Sequence, residues 1–315
     1  SSVNSKEYCI LKGKKMSVKN ERVEKITDQL QKKLASFEVD AEELDQYLEF
    51  CARFYQGRSH NNNLLIFIHK MNSELVATYK QWKTVHNRIV VACTMCRALA
   101  NAKCKCSDIT KPIRIPQFRP LVYTHDKEGK ELEETKIFYA DFYVYDIEDT
   151  EPLNDKGLRV HNPNKPILLK GLEGQEIIDK AKIYLKKKNW SYDIESDLGG
   201  PNGLCNPMSK EIKIKNADVK QMAKTTIHEL SHFHLHGLEY NYQECRGIAE
   251  VQAESVAYTV LKFLGLDSSD YSIRYIIGWS QGDSKRFKES LKEIVETSQQ
   301  IIKDLELTEG ELKNV

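Results

Sequence analysis

The sequence predicts an α+β protein of two domains, a mixed α/β first half and a second half built around helices. Three observations point there. Helical apolar periodicity dominates both ends of the chain, and strand-like alternation clusters in the middle. Between the two patterns lies "LNDKGLRVHNPNKP", a stretch rich in Asn, Gly and Pro that we take as a linker. At 315 residues the chain is long enough for two domains. These are placed at 20–155 and 166–308, after a polar tail at 1–19 that is expected to be disordered.

In chain order, "ITDQLQKKLASF" sets Ile26, Leu30 and Leu34 on one helical face, and "AEELDQYLEFCARFY" repeats the pattern through Leu44, Leu48 and Cys51. The breakers of "QGRSHNNN" interrupt before the apolar "LLIFIHKM". Short strands are expected near "VATYKQW" and "RIVVACTM", and "TKIFYADFYVYDI" alternates well enough for a hairpin. Past the linker come a helix, "GQEIIDKAKIYLKKKN", a polar loop, "DIESDLGGPNG", and a short alternating strand, "KEIKIKN". Two strong helices follow, near 217–236 and 247–264, the second stopped by Gly265. "SLKEIVETSQQIIKDLEL" forms the last.

Hydrophobic residues make up 40% and charged residues 30%, with a net charge of +1. No apolar run is long enough to span a membrane. The N-terminal stretch has no apolar segment of signal-peptide length, so a cytoplasmic setting is expected. There the eight cysteines would be thiols or metal ligands rather than disulfides.

The densest chemistry lies in "TTIHELSHFHLHG". His228 and His232 are four residues apart on a helix, so both imidazoles share one side and can converge on one zinc ion. Glu229 follows the first ligand. In the H-E-x-x-H pattern its carboxylate lies beside the open coordination position, where it can take a proton from water as the catalytic base. A third ligand is expected from "GIAEVQAESVAYTVLKFLG", where Glu250 and Glu254 stand one turn apart on an otherwise apolar helix. Glu250 is our choice as ligand. Glu254 would then orient a ligand histidine through its free ring nitrogen, although the two roles could be exchanged. His236, eight residues after His228, is too far along the axis to share a metal with both histidines. Such a site suits attack of water on a polarised carbonyl, most simply a peptide bond. "KEIKIKN" could serve as the edge strand that pairs with an extended protein or peptide substrate.

Between Lys70 and Arg119 ten basic residues, among them Lys80, Lys83 and Arg88, are opposed only by Glu74 and Asp108, with Tyr79, Trp82, Phe118 and Tyr123 interleaved. A basic track with aromatics suits single-stranded DNA, since cations follow phosphates while rings stack on bases. A solvated basic face with core aromatics is the plainer alternative, and Trp82 could be core. Cys93, Cys96, Cys104 and Cys106 add four thiols in a short span, either a structural metal site or independent cysteines.

"HELSHFHLH…AEVQAESVAY" resembles the gluzincin-like peptidases of the ImmA/IrrE group. "FYQGRSHNNNLLIFIHKMNSELVATYKQW" and "EVQAESVAY…DYSIRYIIGWS" resemble, respectively, the single-stranded-DNA-binding and metallopeptidase domains of the ArdC antirestriction family. That resemblance implies a zincin-like second domain with His228, His232 and Glu250 as metal ligands and Glu229 as base. Ser59 and Asn62 match the family's "YSxxNxLL" signature, with Arg58 where tyrosine is usual, and Tyr79 and Trp82 match its "Y/FxxW". Arg58, Ser59 and Asn62 thus join Lys70, Tyr79, Lys80, Trp82, Lys83 and Arg88 as the expected DNA-contacting set. The function so implied is a zinc-dependent peptidase fused to a single-strand DNA-binding domain, acting in antirestriction or in processing DNA-associated proteins. Two alternatives stay open: a non-catalytic DNA-binding protection protein, and a regulatory peptidase that cuts one repressor.

Overall fold

A computed structural model describes residues 17–54, 58–100, 103–125, 131–160, 174–238, 242–266 and 284–307. Most of the expected tail, part of the linker and the "DYSIRYIIGWS" stretch lie outside the described residues. The tail's last residues, 17–19, open a helix.

The chain is a mixture of helix and sheet. Helices α1 (Ser17–Phe37), α2 (Ala41–Arg53) and α3 (His60–Lys70) lead into a short strand, β1 (Val76–Ala77), and a six-residue helix, α4 (Tyr79–Thr84). Strand β2 (Arg88–Val90) follows, then the long antiparallel hairpin β3 (Ile115–His125) and β4 (Glu131–Asp146), then β5 (Thr150–Pro152). The second half comprises α5 (Gly174–Lys187), β6 (Ser191–Glu195), β7 (Gly203–Asn206), β8 (Glu211–Lys215), α6 (Val219–Leu235), α7 (Tyr242–Leu264) and α8 (Ser284–Leu307).

Local chemistry accounts for the boundaries. Asp40 caps α2 by accepting from the Glu42 and Glu43 amides, and Asp218 caps α6 through the amides of Lys220 and Gln221. Thr78 and Gln81 close a capping box on α4, where the sequence suggested a strand. Gly265, at φ +77°, ends α7 in a conformation that costs glycine little.

The two segments expected as domains share one apolar core. Phe37, Leu44, Leu48, Phe50, Leu64 and Leu65 join Ile177, Ile227, Val256, Leu261, Leu291 and Ile294 in a single buried cluster. Polar bonds cross the same contact: Tyr258 Oη and Lys262 Nζ donate to Asp45, and Gln299 Nε2 donates to the carbonyls of Cys51 and Phe54. A smaller cluster of Leu75, Ala77, Trp82 and Val90 lies under β4 and β5.

One expectation needs correction. "KEIKIKN" is not an edge strand. As β8 it is the centre of a three-stranded sheet, parallel to β6 and antiparallel to β7, with Ile212 and Ile214 buried. The edge beside it is β7, in residues taken as following a polar loop. Alternation signals a half-buried strand but not its neighbours.

Candidate metal centre

Helices α6 and α7 pack against each other and bring the expected ligands together. His228 Nε2 and His232 Nε2 are 3.1 Å apart, and Glu250 Oε2 lies 3.4 Å from the first and 3.7 Å from the second. Ligand atoms held about 2.0–2.1 Å from a tetrahedral ion stand roughly 3.3–3.4 Å apart, so these three atoms fit around one divalent cation. Three protein ligands leave one coordination position open. The donor set, two imidazoles and a carboxylate, suits zinc and several other first-row metals.

Electrostatics support a shared centre. Burial alone would lower His228, but the hydrogen bond to Glu250 and the charges of Glu229, Glu250 and Glu254 raise it instead. His232 is lowered, chiefly by burial. Glu229 is buried, and burial pushes its carboxyl up to about 7, with His228 pulling down and Glu250 pushing further up. Its carboxylate lies against the backbone of Gly203 on β7; a Cβ there would run into both Glu229 and Thr225. Gly203 therefore lets the edge strand come close to the candidate base.

The outer support differs from expectation. Glu254 is half-buried and acts on His228 through its charge. His236, given no metal role from the sequence, is the residue that orients a ligand. Its Nδ1 is 2.9 Å from His232 Nδ1, its Nε2 is 3.3 Å from Gln252 Oε1, and Gln252 Nε2 donates to Glu293 Oε2 at 2.6 Å. The carboxylate sets the direction of every bond in this chain. Gln252 must turn its NH2 to Glu293, so its oxygen accepts from His236 Nε2–H. Neutral His236, lowered to about 4 mainly by burial, then accepts at Nδ1 from His232 Nδ1–H. His232 then carries its proton on Nδ1 and an unprotonated Nε2, the atom facing the other two ligands. Applying the four-residue rule once more, from His232, would have found His236. Gln252 and Glu293 carry no sequence signal.

Cys93, Cys96, Cys104 and Cys106 also converge. Their sulfurs all lie within 4.8 Å of one another, with Cys93 to Cys106 at 3.8 Å and Cys96 to Cys104 at 3.5 Å.

The expected DNA-contacting set fares differently. Arg58 is largely buried, and its guanidinium donates to Gln117 Oε1 and the Val76 carbonyl. Ser59 caps α3, and Asn62 grips both backbone groups of Phe118. Lys70 is ion-paired with Asp146, Glu148 and Asp149. Trp82 is fully buried with its indole N–H on the Tyr145 carbonyl, and Arg88 donates to the Thr150 side chain and to the carbonyls of Thr150 and Gly157. These six residues hold the first half together. Of the nine, the capping Ser59 and the α4 residues Tyr79, Lys80 and Lys83 are exposed.

No helix among the described residues is long and apolar enough to cross a membrane. No family model matches the chain. An uncharacterized Bacillus anthracis protein, pXO2-81, is 25% identical over an alignment of 206 residues that covers 59% of this chain and 34% of that protein. The chain thus spans about a third of that relative's length. The metal-free crystal structure of antirestriction ArdC protein from the R388 plasmid aligns with 80% of this chain and 86% of its own at a TM-score of 0.43 and 13% identity. For the Mn(II)-bound form the coverages are 83% and 97%, at a TM-score of 0.42 and 14% identity.

Proposed function

We propose that this chain is a metal-dependent peptidase with zinc as its cation, working beside single-stranded DNA in an antirestriction or DNA-associated setting. The observation that supports the peptidase is the triangle of His228 Nε2, His232 Nε2 and Glu250 Oε2 with buried Glu229 next to it. When bound, the cation would polarise a substrate carbonyl and make water more acidic. His232 is held in the tautomer that offers Nε2, through His236, Gln252 and Glu293. Glu229 takes a proton from the attacking water and returns it to the leaving amine. Burial raises this carboxyl in the metal-free protein, and a bound cation would pull it back toward the ionised form that a base needs. The edge of β7 away from β8, unpaired among the described residues, passes Glu229 at Gly203 and is where an extended peptide would add as a further strand. This replaces the pairing expected for "KEIKIKN".

The DNA-binding part of the reading rests on the ArdC-like sequence motifs and on exposed cations. Lys80 and Lys83 follow Tyr79 on α4, and Lys103, Lys105, Lys111, Arg114 and Arg119 are exposed further along.

Glu229→Gln tests the peptidase. The variant is expected to keep its metal and any DNA affinity while peptide hydrolysis falls about 10²–10⁴-fold, the usual contribution of a general base. Undiminished cleavage by Glu229→Gln would remove Glu229 as base. Absence of any hydrolysis in the metal-loaded wild type, with DNA binding intact, would favour the non-catalytic protection protein.

A further inference from the structure

We propose that Cys93, Cys96, Cys104 and Cys106 bind one structural zinc ion, and that this ion holds residues 92–111 in place where an apolar core does not. The inference is independent of the peptidase reading. Sulfurs about 2.3 Å from a tetrahedral zinc stand roughly 3.8 Å apart, and the closest pairs here are at 3.8 and 3.5 Å. Four sulfurs complete the tetrahedron, so no position is left for substrate, and the role is structural.

The rest of the segment explains why a metal is needed there. Met95 is 70% exposed, and Leu99 and Ile109 are also exposed; among the described residues of the segment Cys93 alone is buried. Backbone bonds from Ala92 to Ala98 and from Thr94 to Thr110 close the loop on itself, while Arg97 pins it to the carbonyls of Glu148 and Thr150. Little apolar area is removed from water in this segment, so burial contributes little to its order. A tetrathiolate ion supplies the missing cross-link, tying Cys93 and Cys96 to Cys104 and Cys106, and on binding it releases the thiol protons.

The test uses the full chain with the first centre emptied by His228→Ala and His232→Ala together. Elemental analysis of that variant should find one zinc per chain, and adding Cys104→Ser and Cys106→Ser should take it to none. Cobalt(II) loaded into the histidine variant should show a thiolate-to-metal charge-transfer band, which a histidine and carboxylate site cannot give. Amide exchange in the histidine variant should quicken at least tenfold within 92–111 after zinc is chelated, and stay unchanged in α6. The proposal is overturned by a histidine variant that carries no metal and shows no cobalt–thiolate band. Intact masses showing two disulfides in the purified protein, or exchange indifferent to chelation, would also overturn it.

Discussion

His228, His232 and Glu250 project from two long helices whose apolar faces lie in the main core, whereas the four cysteines sit in a loop with scarcely any buried apolar surface. In the first region Ile227, Leu230, Val251 and Val256 fix the ligands' backbone whether or not a cation is present. A metal there can be asked for chemistry, and one coordination place is left open beside a buried carboxyl. In the second the ligands are the packing. On the two proposals above, the contrast teaches what a metal would add in each place: reactivity where the scaffold is already packed, and rigidity where it is thin.

The largest consequence is a stability difference carried by Glu229 in metal-free protein. Folding raises this carboxyl from 4.5 to about 7, chiefly by burial. The native state therefore keeps a proton that the unfolded chain has released, so this group's contribution to stability falls as pH rises from about 4.5 to about 7 and is level above. At about 1.36 kcal/mol per unit the ceiling is roughly 3 kcal/mol. His60, lowered to about 4 by burial, contributes the opposite slope between about 4 and 6.5. The two are separated by comparing wild type with Glu229→Gln at each pH by denaturant unfolding in the presence of chelator. Glu229→Gln should be the more stable above pH 7, and the gap should close toward pH 4.5. Equal stability across that range would mean the buried carboxyl imposes no cost, and the raised carboxyl at the first centre would be ruled out.

A smaller effect separates helix packing from side-chain orientation as the means of presenting His232. His236→Ala removes the acceptor of the His232 Nδ1 proton but leaves all three ligands. Metal affinity is expected to drop about 10–100-fold, with little loss of helix content by circular dichroism. Gln252→Ala should act in the same direction and more weakly, since it sits one bond further out. An unchanged dissociation constant for His236→Ala would mean the core alone positions the imidazoles.

What could be read in advance follows the same division. The triad was legible because a helix converts sequence spacing into geometry: four residues between histidines, and two carboxylates on an apolar stripe, each demand a local explanation. The relay through Gln252 to Glu293 was not, because it joins α6, α7 and α8, and no spacing within one helix encodes a meeting of three. Strand β7 escaped notice because four residues, "GLCN", give no usable alternation. The expected DNA-contacting set was less legible for a different reason. Charge counting cannot tell an arginine that faces phosphate from one whose fork satisfies buried carbonyls, and Arg88 in the basic track, like Arg58 ahead of it, does the latter.

That last distinction sets the smallest predicted effect. Lys80 and Lys83 are exposed on α4, while Arg88 has its guanidinium committed to Thr150 and Gly157. If α4 meets a single strand, Lys80→Ala with Lys83→Ala should weaken binding a few-fold and reduce the slope of log affinity against log salt by about 0.7 per lost contact, roughly 1.4 together. Thermal stability should stay within about 0.5 kcal/mol of wild type, as for other surface changes. Arg88→Ala should do the reverse, lowering the melting temperature because three bonds to the β5 region are lost, and leaving the salt slope where it was. Fluorescence anisotropy with an oligothymidylate over a salt series measures both. A salt slope that responds to Arg88 and ignores Lys80 and Lys83 would move the nucleic-acid surface off α4 and onto the strands beside the thiol loop.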